Sequence, residues 1–254
     1  RYSTWEEKAL YRVDSLEDQL SKRLDTIIDT QEQTVLDAIA TQAASALLTL
    51  GEDANFASIV PMSALAVSTI PLTVLMKDIY QQAISDNIEE GYGDSVTAEQ
   101  ADAAISAHLA TVNNFNFTTQ NQVEAALASA ALGRDKDGSD LNITFKIILA
   151  TVLIKAVFNK LRSKRKSMIV DSAVFGPYNQ GLFDSAANAD TGINKQWIAL
   201  KDERVRISHK QLNGDKLPVS SAFFVDGVPI RFPHDPLAPP GLTINCRCVL
   251  KFTR

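Results

Sequence analysis

The stretch that decides the fold runs from residue 195 to residue 252 and reads KQWIALKDERVRISHKQLNGDKLPVSSAFFVDGVPIRFPHDPLAPPGLTINCRCVLKF. Two apolar runs, 222–225 and 228–232, flank Asp226-Gly227, and this pattern predicts a β-hairpin. A further tight turn is predicted at Asn213-Gly214. We expect additional strands over 196–200, centred on Trp197, and over 246–252. Four of the nine prolines fall in PHDPLAPPG, which predicts a rigid loop between hairpin and last strand.

The sequence before this stretch is mostly helical in pattern. Apolar residues at three- and four-residue steps over 3–50 predict a long helix, interrupted on its apolar stripe by Glu17 and Gln31; packing in a bundle is favoured over a free coiled coil. Further helices are predicted over 72–90, from Thr97 with a capping box to Gln100, from Thr119 to Gly133, over 141–161, and over 168–189 with a break at Gly176-Pro177. The fold class is therefore predicted as α+β: a predominantly helical N-terminal region followed by a small C-terminal domain with a β-hairpin and short strands.

Charge divides the 254-residue chain into an acidic and a basic part. Up to Gly133 there are 6 Lys and Arg against 19 Asp and Glu, and from Arg134 onward 19 against 11. We expect an acidic helical region over 1–133, a basic helical connector over 134–190 and an α+β module over 191–254. Such asymmetry fits contact of the basic part with a polyanion, or simply two differently charged solvated faces.

The cysteines and the start of the chain bear on the cellular compartment and on processing of the protein. Two cysteines two residues apart do not form a disulfide framework, which favours a reducing compartment. RYSTWEEKALYRV at the start lacks the apolar core of a signal peptide. Because the chain starts at Arg1 rather than methionine, we expect a processed or trimmed product.

A basic cluster follows the most apolar predicted helix. As a solvated helix end it would be favoured by the helix dipole, and as a functional surface it would contact DNA phosphates. Its members are Lys160, Arg162, Lys164, Arg165 and Lys166.

His209, His234, Cys246 and Cys248 are residue types that bind zinc. In an extended strand, however, residues two apart lie about 6.6 Å apart along the axis, whereas two thiolates on one zinc ion are about 3.8 Å apart. We therefore expect both cysteines to pack as small apolar residues, with a zinc site as the weaker alternative and no cofactor. A thiol on an apolar face ionises poorly, so no catalytic residues are assigned and we do not expect an enzyme.

The ordered motifs of the C-terminal stretch resemble a known family. A Trp-bearing strand, D-x-R-V-R-x-S-H, an N-G turn, F-x-V-D-G-V-P, P-x-D-P and N-C-R-C look like the C-terminal domain of phage Mu F-type minor head proteins, also called the phage head morphogenesis domain. Asn179-Gln180-Gly181 fits a further family step, whereas 170–173 departs from its Arg-Thr-Glu-like step. The matching positions are Trp197, Asp202, Arg204, Arg206, His209, Gly214, Phe224, Gly227, Pro233, Asp235, Pro236, Asn245, Cys246, Arg247 and Cys248.

This resemblance implies a virion structural protein in few copies, located inside the capsid at the portal vertex after assembly in the host cytoplasm. The implied partners are the phage portal protein, other copies of the chain around the portal and packaged DNA, with no small-molecule substrate. The implied roles are head morphogenesis and DNA packaging or ejection, and the family-motif residues are expected to brace loops. Two alternatives stay open. One is an ejected effector enzyme or zinc-dependent domain using His209, Asp202 and the cysteines; the other is a membrane-active ejection protein using the helix over 141–161.

Overall fold

The computed structural model describes residues 5–49, 70–189, 192–199 and 205–254. The family-motif residues Asp202 and Arg204 lie outside this part of the chain. Five long helices come first, and short strands and helices follow. The helices are α1 (Trp5–Thr49), α2 (Ile70–Glu89), α3 (Ala98–Ala131), α4 (Ile143–Lys160), α5 (Lys166–Asn188), α6 (Ile207–Gln211) and α7 (Pro240–Thr243), with a π-helical turn over Leu161–Arg165 between α4 and α5. The strands are β1 (Asn194–Ile198), β2 (Lys216–Pro218), β3 (Phe223–Val225), β4 (Val228–Ile230) and β5 (Val249–Thr253).

The chain folds into two compact units that are discontinuous in sequence. Among the residues described, the first unit draws on the segments Arg1–Leu20, Thr69–Val112 and Ser167–Arg254, and the second on Ser21–Ser68 and Asn113–Lys166. The segment boundaries at 133 and 190, which follow composition, stay predictions.

The second unit is a helical assembly of parts of α1 and α3 with α4 and the π-helical turn. Its buried apolar residues follow the helical spacing seen in the sequence, as on α1, where Leu24, Ile28, Val35 and Ile39 face inward. Asn142 caps α4, since its Oδ1 accepts a hydrogen bond from the Phe145 backbone N–H at 3.0 Å. The buried apolar face of α1 shows that packing on one side of the helix holds it in this unit.

The first unit joins helices to two small antiparallel sheets. One sheet has the order β2-β1-β5, and the hairpin β3-β4 forms the other. In the three-stranded sheet Trp197 pairs with Leu250, and Lys195 pairs with both Leu217 and Phe252. The α+β prediction is confirmed, although β2 was missed because a three-residue strand that ends in a proline gives no periodic signal.

Two local predictions are confirmed in detail. Thr97 and Gln100 form a reciprocal capping box at the start of α3, with bonds of 3.0 and 3.2 Å. Asp226 and Gly227 join β3 to β4 with φ of 49° and 81°, the left-handed values that a two-residue hairpin turn requires. Each signal is local, which is why sequence alone sufficed.

Two predicted helix breaks are wrong. Helix α3 runs through Thr119 without interruption, because the surrounding residues include no glycine or proline. Helix α5 continues through Gly176-Pro177. Residues 169–182 of α5 are all buried, so tertiary packing outweighs the absence of a backbone hydrogen bond at the proline.

The last strand begins later than predicted. β5 starts at Val249 rather than at residue 246, because Asn245 turns the chain with φ of 57°. α6 starts at Ile207, preceded by Arg206 without a side-chain cap. Because β5 starts at Val249, both cysteines lie in the irregular segment between the Asn245 turn and β5 and not in the strand itself.

Candidate functional site

Most of the family-motif residues of the C-terminal module lie in loops and turns of the first unit. Gly214 has φ of 95° and donates its backbone N–H to the Trp197 carbonyl at 2.8 Å, which ties the Asn213-Gly214 turn to β1. Arg206 donates to the carbonyl of Ile244 at 2.5 Å, which fixes the residue before the Asn245 turn. These positions hold backbone in place rather than presenting reactive groups.

Asp235 organises the proline-rich loop. Its carboxylate accepts bonds at 2.8 and 2.7 Å from the Arg231 guanidinium and at 3.0 Å from the backbone N–H groups of Arg231 and Leu237. Burial alone would raise the pKa of Asp235, but these bonds hold it below its ordinary value. Pro233 is buried beside it, whereas Pro236 is partly exposed. The carboxylate thus acts as the centre of a braced loop.

Lys195, which carries no family motif, is fully buried in β1. Its Nζ donates to the Arg231 carbonyl at 2.6 Å and lies 4.9 Å from the Phe183 ring centre and 5.3 Å from that of Phe223. Burial and the nearby Arg231 charge lower the pKa of Lys195 to about 8. Sequence reasoning missed this residue, since a lysine at a strand start ordinarily points to solvent; the only signal was its inward position in the strand alternation.

Asn179 and His234 fix the backbone around the cysteines. Asn179 on α5 donates to the Cys248 carbonyl at 3.0 Å and accepts from the Leu250 backbone N–H at 2.9 Å. The His234 ring stacks on Phe175 with 5.8 Å between ring centres, and its Nε2 contacts the Cys246 carbonyl oxygen. Burial lowers the pKa of His234 to about 4. The N-C-R-C segment is therefore held from both α5 and the proline-rich loop.

Arg247, between the two cysteines, forms an ion pair with the first turns of α1. Its guanidinium donates to Glu17 at 3.1 Å and to Asp14 at 3.2 Å. Burial and a hydrogen bond with Asp171 raise the pKa of Glu17 to about 7. In the sequence, Glu17 only interrupts an apolar stripe and Arg247 is only a family-motif position, so this pairing was not foreseen.

His209, Cys246 and Cys248 meet in the interior of the first unit. His209 Nδ1 lies 3.4 Å from Cys246 Sγ and 3.6 Å from Cys248 Sγ. All three side chains are at most 2% exposed. His234, the fourth member of the predicted zinc set, faces the Cys246 carbonyl instead.

The two thiols differ in electrostatic surroundings. Burial raises the pKa of Cys246, whereas a hydrogen bond from Cys246, together with His209, lowers the pKa of Cys248 despite its burial. Trp197 packs edge-on against the His209 ring with 5.4 Å between centres. The cluster can therefore hold a thiolate beside an imidazole in a closed environment, and its burial leaves no open face for a large substrate.

The basic cluster lies in the second unit, around the π-helical turn. Arg162 pairs with Asp29 at 2.6 Å and Glu32 at 2.5 Å, and Lys166 pairs with Asp25 at 2.5 Å. Lys160 and Lys164 are exposed, and Arg165 is partly exposed, with an Nη1 atom 3.5 Å from Thr119 Oγ1. Two of the five predicted DNA-binding cations thus neutralise the acidic face of α1.

Comparison with known proteins extends the resemblance beyond the C-terminal stretch. A model of the family described as Phage Mu protein F like protein matches residues 78–251, which is more than half of the chain and includes most of α2 and all of α3 to α5. No curated protein and no solved structure matches the chain. The match covers Asn179, Asp235 and the N-C-R-C segment, whose contacts make up the braced module described above, whereas Glu17 lies outside it. The chain therefore belongs to the Phage Mu protein F like family and is a phage head morphogenesis protein.

Proposed function

We propose that this virion-associated protein acts at the portal vertex, inside the capsid, where it binds the portal protein and further copies of itself during head assembly in the host cytoplasm. Membership of the family over residues 78–251 supports a head protein. The finer position at the portal is inferred from surfaces that the described residues leave exposed.

The observation that carries the portal contact is an apolar row on α4. Phe145, Ile148 and Val152 recur at three- and four-residue steps and are 57%, 54% and 57% exposed. Exposed apolar rows of this kind mark protein–protein contacts in soluble proteins. The residues that brace the C-terminal module are, by contrast, occupied by contacts within the first unit. We infer that α4 presents a surface to a protein neighbour in the head.

The portal contact is tested by co-purification with tagged full-length chain. Portal protein should co-purify with the wild type but not with a variant that combines Ile148→Asp and Val152→Asp. Leu237→Asp is the matched control, because Leu237 is 78% exposed but lies in the first unit. Equal recovery with both variants would remove α4 as the contact. Absence of the portal protein from every preparation, or normal packaging and infection by virions lacking the chain, would overturn the proposal itself.

A role in DNA packaging or ejection would bring the chain close to DNA. Lys160 and Lys164 supply exposed positive charge at the end of α4 and in the π-helical turn, which supports contact with phosphates. Arg162 and Lys166 contribute less to this surface, because carboxylates of α1 already pair with them. We therefore propose a weak, sequence-independent DNA contact by the remaining cations.

The two alternatives from sequence gain less support. Among residues 5–49, 70–189, 192–199 and 205–254, no helix combines the length and apolar character needed to cross a membrane. For an effector enzyme, His209 and the cysteines would have to reach a substrate, yet all three are buried. A buried cluster of this composition fits a structural role better, and its chemistry leads to the inference below.

A further inference from the structure

Three metal-binding side chains converge on one point from separate parts of the first unit. The Nδ1 atom of His209 and the Sγ atoms of Cys246 and Cys248 all lie within 4.8 Å of one another. His209 lies on α6 and the cysteines lie in the irregular segment before β5, so the cluster joins two segments distant in sequence. The expected obstacle to metal binding, an extended strand that separates the thiols, is absent because β5 begins only at Val249.

The distances fit a tetrahedral ion. Zinc bonds of about 2.0–2.1 Å to nitrogen and about 2.3 Å to sulfur place the nitrogen and sulfur ligands about 3.6 Å apart in a tetrahedron. The observed separations from His209 Nδ1 are 3.4 Å to Cys246 and 3.6 Å to Cys248. Both nitrogen–sulfur separations thus match those expected for ligands of a single zinc ion.

Hydrogen bonding alone explains the arrangement of these three side chains less well than a bound metal ion does. An imidazole Nδ1 either carries one proton or offers one lone pair, so it bonds well to only one of two sulfur atoms. A metal ion would satisfy both sulfur atoms and the nitrogen together. It would also balance charge, because two thiolates and a neutral imidazole carry −2, which a divalent cation cancels in a buried site where net charge is unfavourable.

Contacts with surrounding residues hold the three ligands in place in the folded module. The Cys248 backbone N–H points to Cys246 Sγ at 3.4 Å, a bond that stabilises a thiolate ligand. Asn179 holds the Cys248 carbonyl at 3.0 Å, and Arg206 holds the Ile244 carbonyl at 2.5 Å. His209 is fixed by the Trp197 ring at 5.4 Å. Cys246, Cys248 and His209 are each held by a residue outside the cluster, namely His234, Asn179 and Trp197.

We propose that His209 Nδ1 and the thiolates of Cys246 and Cys248 bind one zinc ion, which ties α6 to the irregular segment before β5. Three of the four tetrahedral positions are thereby assigned. Because the site is buried, the ion binds as the module folds, and its affinity contributes to the stability of the fold. The role is structural and is independent of where in the head the protein acts.

The test uses the reduced full-length chain, purified without chelator and analysed for metal by mass spectrometry. About one zinc ion per chain is expected. Replacement by Co²⁺ should give thiolate-to-cobalt charge-transfer absorption and the strong visible bands of tetrahedral cobalt. Both signals should disappear in Cys246→Ser and Cys248→Ser and be weakened or shifted in His209→Gln.

His108→Gln is the matched control, since His108 is a buried histidine outside the cluster, and it should keep the metal and its spectrum. The proposal is overturned if the reduced wild type binds neither Zn²⁺ nor Co²⁺, or if all three ligand variants keep the metal. It is also overturned if the thiols are found joined in a disulfide in the protein as isolated from cells. Where a variant does not fold, the cobalt spectrum of the wild type still decides whether thiolates bind the ion.

Discussion

Glu17 of α1 lies 3.1 Å from Arg247 of the N-C-R-C segment. Glu17 is 17% exposed in its side chain and Arg247 18%, so the pair is largely shielded from water. It also explains an irregularity in the sequence, because Glu17 is one of the two polar residues on the apolar stripe of α1, which faces inward at Val13 and Leu20. The N-terminal helix is thus bonded to the most distinctive segment of the family module, although α1 lies outside the region that the family model matches.

The raised pKa of Glu17 predicts that stability depends on pH. In the folded state it is about 7 against an ordinary 4.5, so the folded protein favours the protonated acid. Protonation of Glu17 therefore stabilises the folded state. This contribution is fully present below about pH 4.5 and is lost as the pH rises through about 7. Glu17→Gln mimics the neutral form, and denaturant unfolding at about pH 5 and about pH 8 should show the variant gaining stability relative to wild type at the higher pH. The exposed control Glu124→Gln should show the same pH dependence of stability as the wild type. A stability difference between Glu17→Gln and wild type that does not change with pH would contradict the raised pKa of Glu17.

Gly176 is predicted to tolerate no side chain. A Cβ atom there would lie 2.6 Å from the Nδ1 atom of His108, well inside van der Waals contact. Gly176→Ala should therefore lower the free energy of unfolding by roughly 1–3 kcal/mol. Gly241→Ala is the control, because nothing lies within 4 Å of its Cβ position. Adding His108→Ala to Gly176→Ala should recover part of the lost stability. If the effects of the two substitutions on the free energy of unfolding are additive in the double variant, a direct clash is excluded.

Local signals made much of this fold predictable. The capping box at Thr97, the Asp226-Gly227 hairpin and the apolar stripe of α1 each depend on residues close together in sequence. The continuity of α5 through Pro177 was not predictable, because it rests on burial of the helix by distant segments.

The candidate site was predicted in residue types but not in arrangement. His209 and the two cysteines were identified, but their convergence depends on the left-handed turn at Asn245, which shifts the start of β5. Only asparagine and aspartate among residues with side chains commonly accept such a turn, and that preference is too weak to place a turn inside an apparent strand. Lys195 and Glu17 were missed because their partners, Arg231 and Arg247, are remote in sequence.

Asn179 is predicted to be the main link between α5 and β5. Asn179→Ala would leave the Cys248 carbonyl and the Leu250 backbone N–H without the bonds seen at 3.0 and 2.9 Å. Each buried group left unsatisfied costs about 1–3 kcal/mol, and hydrogen exchange at the Leu250 amide should accelerate in step with the decrease in stability. Gln196→Ala removes a more exposed bond, to the Gly214 carbonyl, and should change stability by less than about 0.5 kcal/mol. Unaltered exchange at Leu250 in Asn179→Ala would refute the link.

The basic cluster is predicted to divide into DNA-contacting and structural cations. Neutralising the exposed pair with Lys160→Ala and Lys164→Ala should weaken binding to duplex DNA and reduce the slope of log affinity against log salt by about 0.9 for each phosphate that is no longer neutralised. Stability should change little, since both side chains are exposed. Arg162→Ala should instead lower stability, because it removes bonds of 2.6 and 2.5 Å to Asp29 and Glu32, with a smaller effect on DNA. If Arg162→Ala weakens DNA binding as much as the double lysine substitution, the ion pairs of Arg162 open when DNA binds. If the DNA affinity does not depend on salt concentration, this cluster makes no phosphate contact.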